Sequence, residues 1–123
     1  MSNASGVLAF SFGESNNVAQ RCGTAFGIAN KLTTDAVGDD KGCSFTTGWK
    51  NTIDSGYSFA IGDNNTITKK GYVFGSTNDN NSLNGFIVGS NNIVDTYGGG
   101  YCLAIGDTNH IQKNSTHVYA LGS

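Results

Sequence analysis

Proline is absent from the 123 residues, and only 13% of them are charged, about half the share of an ordinary soluble domain. With no proline, and no glycine at every third position, a collagen-like triple helix is excluded. So little charge argues against a solvated, self-repelling disordered chain. It argues equally against a monomer with a normally charged surface. A net charge of −2 gives no electrostatic footprint for nucleic acid or an anionic membrane. No apolar run approaches the ~18 residues of a membrane-spanning helix. The first 30 residues lack a charged-then-apolar leader, so no membrane insertion by this segment is expected. Three cysteines are too few for a disulfide scaffold and lack zinc-ligand spacing.

Chemistry-bearing residues are also sparse. Glu14 is the only glutamate, and eight aspartates are scattered mostly through turn-like stretches. A glycosidase needs two carboxylates facing one cleft. Asp63 and Asp107 stand just after a glycine in equivalent contexts, which reads as a turn position rather than a catalytic pair. The two histidines, His110 and His117, complete no Ser/His/Asp arrangement. There is no phosphate loop or dinucleotide fingerprint. The expectation is a non-enzyme without catalytic residues, metal or cofactor.

What the chain does have is a repeat. Eight short segments end in glycine, at Gly13, Gly27, Gly48, Gly62, Gly75, Gly89, Gly106 and Gly122. The unit is about 14 residues, and longer intervals carry insertions, chiefly 33–42 and 95–100. Three residues after the first seven glycines stand Asn16, Asn30, Asn51, Asn65, Asn78, Asn92 and Asn109. Five after them come Val18, Leu32, Ile53, Ile67, Asn80, Val94 and Ile111, apolar in every unit but one. Apolar residues at period two, interrupted by a glycine turn, mean two short strands per unit. No segment carries a helical periodicity. The predicted fold is all-β: one domain over 1–123, a parallel β-roll or β-solenoid of about eight coils. Consecutive coils stack ~4.8 Å apart.

The asparagine column admits two structural readings. Identical amides in register can hydrogen-bond up the stack, or each asparagine takes a left-handed turn conformation.

The second strand alternates clearly. Its columns four and six after the glycine are mostly polar, as a solvated face should be. The first strand is uncharged on both faces. One and three before the glycine lie Phe, Tyr, Ile, Val, Leu and Thr, expected inside. Two and four before it lie small residues, expected outside. A strand buried on both faces needs a second chain. Ala25, Ala60, Val73, Ile87, Ala104 and Ala120 are therefore the expected seam of an oligomer, and Cys102 falls in the same outward set.

The units "YSFAIGDNNTI", "YCLAIGDTNHI" and "FIVGSNNIV" resemble the head-domain repeat of the trimeric autotransporter adhesins, the YadA-like head. The similarity runs from about Val7 to Ser123. It implies a left-handed roll, a homotrimer, a cell-surface setting, and attachment to a host-surface protein or glycan. Asparagine stands where that family often has serine, and Phe or Tyr often replaces valine. Similar repeats occur in phage tail fibres, so a virion fibre protein is the alternative reading. A polysaccharide-degrading tailspike ranks below both. Repeat proteins place variation in insertions, which makes Asp35, Asp39, Asp40, Lys41 and Tyr97 candidate recognition residues. Cys22 and Cys43 each stand five residues before a glycine, hence on consecutive coils. Two reduced, closely spaced thiols are expected, with a disulfide as the alternative.

Overall fold

The computed structural model describes residues 1–33, 42–96, 100–112 and 117–122. These form sixteen strands and no helix. Strands of five to seven residues, such as Phe59–Asp63, alternate with strands of two or three, such as Thr66–Ile67. A short strand, Asn3–Ala4, opens the series. The long strands make one eight-stranded parallel sheet and the short strands another. Each strand pairs with its equivalent one coil away. This is the β-solenoid that the repeat predicts.

The glycine register holds in every coil. Gly13, Gly27, Gly48, Gly62, Gly75, Gly89, Gly106 and Gly122 are successive pairing partners down the long sheet. All eight have φ between 113° and 132°, where a side chain is strained. A Cβ on Gly62 would also lie 1.8 Å from the Gly75 carbonyl oxygen. The backbones of stacked coils therefore meet where only glycine fits.

The asparagines form a ladder. Each side-chain amide from Asn30 to Asn109 donates to the Oδ1 of the asparagine one coil back, at 2.9–3.1 Å. The same Oδ1 accepts the backbone N–H of that next asparagine, at 2.9–3.1 Å. Each Nδ2 also donates to the repeat glycine carbonyl of the following coil, at 2.8–3.0 Å. The positive-φ residues are instead their predecessors, Ser15, Ala29, Lys50, Asn64, Thr77, Asn91 and Thr108. Of the two readings, the stacked amides are realised. The turn conformation belongs to the residue before each asparagine.

The core is one thin apolar layer. Val18, Leu32, Ile53, Ile67 and Val94 from the short strands are fully buried. They share a cluster with Ala25, Ala60, Val73, Ile87 and Ala104 of the long strands, equally buried. Ala120 packs partly buried against it. This corrects the expected seam. Those six side chains point into their own coil and cannot line a contact between chains. Cys102, 3% exposed, is corrected with them. It sits inside, where its Sγ lies 3.8 Å from Thr96 Oγ1.

The reason is thickness. Opposite a Leu or Ile of the short strand there is room for a small residue only. At Gly23 even a methyl group would stand 2.7 Å from Val18 Cγ1. Asn80, which stands in the short-strand column otherwise filled by Val18, Leu32, Ile53, Ile67, Val94 and Ile111, follows the same rule. It is fully buried, and its amide fills the space a Cβ would need at Gly71 and Gly85, where the clearance is 2.1 Å. Small residues thus line the inside of the long strand, and bulky ones are turned out.

Candidate interaction face

Turning the small residues inward puts two bulky columns on the outer face of the long-strand sheet. The first holds Phe10, Thr24, Phe45, Phe59, Tyr72, Phe86, Leu103 and Tyr119. The second holds Phe12, Phe26, Thr47, Ile61, Phe74, Val88, Ile105 and Leu121. Neither column contains a charge. Mid-rod, Tyr72 is 51% exposed and Phe86 40%, so the exposure is not an effect of the ends.

The rings form a continuous ladder. Phe10, Phe26, Phe45, Phe59, Phe74 and Phe86 follow one another with centroids 4.9–5.9 Å apart. Phe45 and Phe59 are stacked and the other pairs tilted. Both geometries lie within the range favourable for aromatic pairs. Of these pairs only Phe45 and Phe59 are register partners; the other contacts run diagonally between the two columns on adjacent coils, where large rings still reach one another. The face combines large apolar area with rigid side chains, which suits protein–protein contact. Sequence reading assigned these residues to the interior. Their bulk, set against the glycines and alanines beside them, was the available sign that they face out.

The other sheet is wet, as predicted. Asn17, Lys31, Asp79, Ile93 and His110 are exposed on it, with Thr52 and Thr66 half-buried. The neighbouring column is knitted by side-chain hydrogen bonds, including Thr33 to Asp54, Thr68 to Asn81 at 2.8 Å and Asn81 to Asp95 at 3.0 Å. Although the Asp79 side chain reaches solvent, partial desolvation of its carboxyl, and then the Asp95 charge, push it above its ordinary pKa. A raised acid favours the folded state below the ordinary carboxylate range and loses that advantage as pH rises through the shifted value. Asp79→Asn is therefore expected to raise the melting temperature at pH 7 and to leave it nearly unchanged near pH 3, measured by thermal denaturation at both.

Asp63 and Asp107 share one column, with Ser76 and Ser90 between them. Each accepts a serine hydroxyl, Ser76 to Asp63 at 3.4 Å and Ser90 to Asp107 at 2.6 Å. The Ser90 hydroxyl, followed by the Asn91 amide, holds the Asp107 carboxyl below its ordinary pKa. Among the described residues, no group of three or more His, Cys, Asp or Glu converges as a metal site. No helix among them is long and apolar enough to cross a membrane. The candidate recognition residues Asp35, Asp39, Asp40, Lys41 and Tyr97 lie outside the described residues. The chain matches no family model, no curated protein and no solved structure.

Proposed function

We propose that the chain is a structural attachment module: a rigid β-solenoid that assembles through its aromatic face with two further copies of itself and binds surfaces multivalently. The observation that carries this is the uncharged bulky face of the long-strand sheet, with its aromatic ladder from Phe10 to Phe86. Monomeric soluble proteins rarely leave so large a contiguous apolar patch in water. A second copy is the occupant that fits best, because a cyclic arrangement lets the same face serve every chain. The number three comes from the resemblance to trimeric adhesin heads. In such an assembly the wet sheets face outward, available to a host-surface protein or glycan. Three weak sites on one rod gain strength by avidity, on the order of 10²–10⁴ over one site. A virion fibre would use the same rod in the same way.

Light scattering should give a mass three times 12.8 kDa at micromolar concentration. Phe59→Lys places a charge at the middle of the face without entering the core. It should yield a folded monomer, with an unchanged β-type circular dichroism spectrum and greatly weakened adhesion to glycan- or matrix-coated surfaces. A wild-type chain that runs as a stable, folded monomer contradicts the reading.

A further inference from the structure

Cys22 and Cys43 occupy equivalent positions on consecutive coils, two residues ahead of the paired Thr24 and Phe45. Both are free thiols; Cys43 is exposed and Cys22 partly so. They open onto a cleft of about 330 Å³ walled by Phe45, Tyr57, Phe59 and Tyr72. Identical backbone conformations on parallel neighbours would aim both Cα–Cβ bonds the same way, which strains a disulfide. The conformations here differ. Cys22 has φ 56°, whereas Cys43 is not among the positive-φ residues. The two Cα–Cβ bonds are therefore not held to the same direction, and both cysteines line the same cleft. Interaction with the Cys22 thiol, followed by burial, pushes the Cys43 pKa up, while the Arg21 cation opposes the rise.

We propose that Cys22 and Cys43 form a redox-responsive dithiol site, which takes small-molecule disulfides and closes to a bridge between the two coils flanking the 33–42 insertion. The chemistry is two exchange steps with a low-molecular-weight disulfide such as oxidised glutathione. One cysteine, as thiolate, attacks a glutathione sulfur, forming a mixed disulfide and releasing one glutathione thiolate. The second cysteine, as thiolate, attacks the protein sulfur of that mixed disulfide and releases the other. The two thiol protons end on two glutathione molecules. The protein loses two electrons and the small disulfide gains them. The partner thiol stands on the adjacent coil and lines the same cleft, so the second step outruns accumulation of the mixed adduct. The bridge ties residues 21 apart in sequence. The cleft shares Phe45, Phe59 and Tyr72 with the aromatic face, so assembly through that face would restrict access to the thiols.

The test is incubation of the intact chain with millimolar oxidised glutathione, followed by alkylation without reduction, digestion and mass spectrometry. The expected product is a Cys22–Cys43 linked peptide, with Cys102 alkylated. Cys22→Ser and Cys43→Ser should each trap a stable glutathione adduct on the remaining cysteine, and Cys102→Ser should bridge like the wild type. Three alkylated thiols, a persistent adduct on the wild-type chain, or a bridge involving Cys102 would each overturn the proposal.

Discussion

Ala60→Lys should leave the chain unfolded, while Thr66→Lys, six residues along, should leave its stability within about 0.5 kcal/mol. Ala60 is fully buried and pairs with Thr46 and Val73 on the coils either side. Its methyl group belongs to the same thin apolar cluster as Ile53 and Ile67. A lysine there needs space for four more heavy atoms, opposite a short strand whose Ile53 and Ile67 already fill the layer. It also places an unpaired ammonium among apolar side chains. The uncompensated charge alone costs roughly 3–5 kcal/mol, and overpacking adds about 1–3 kcal/mol. Against a typical domain stability of about 5–15 kcal/mol, that removes most or all of the margin. Thr66 is half-buried on the wet face, where a lysine keeps its charge in water. Far-ultraviolet circular dichroism and urea titration of both variants decide the matter. If Ala60→Lys folds normally and merely dissociates, the small column lies at an interface after all.

Asn65→Leu should cost about 3–6 kcal/mol, although the two side chains have the same branched arrangement of heavy atoms. The amide of Asn65 donates to Asn51 Oδ1 at 2.9 Å and to the Gly75 carbonyl at 2.8 Å. Its Oδ1 accepts the backbone N–H of Asn78 at 3.1 Å and the Asn78 amide at 3.0 Å. Leucine removes all four bonds. The Gly75 carbonyl loses this donor, and two Asn78 donors lose their acceptor. Buried groups stripped of a partner cost about 1–3 kcal/mol each. The site is mid-ladder, so the loss falls on an interface between coils, where solenoid stability resides. Urea unfolding should show a lower midpoint than for a leucine at Asn109, which lies at the half-buried end of the ladder. Equal midpoints would mean that the amides contribute through turn conformation and not through stacking.

Most of the scaffold could be read from residues alone. A period near 14, with glycine and asparagine three apart, requires coils stacked in register. Any other register would break the asparagine column and press side chains into the carbonyl contacts made at glycines such as Gly62. The wet face was equally legible, because Lys31, Asp79 and His110 alternate with Leu32, Asn80 and Ile111. The interior face of the long strand was not. In "YSFAIGD" both alternating sets are uncharged, and a shift of one residue exchanges the faces of a strand. Hydrophobicity alone favours Phe59 and Ile61 inside. The tertiary structure puts Ala60 inside, because the layer between the sheets holds one large and one small side chain, and that thickness is a property of two packed sheets rather than of one strand. The cysteines divide in the same way. Their shared register follows from their distance to Gly27 and Gly48. The difference in backbone between them, left-handed at Cys22 and not at Cys43, is decided only by the turns between stacked coils.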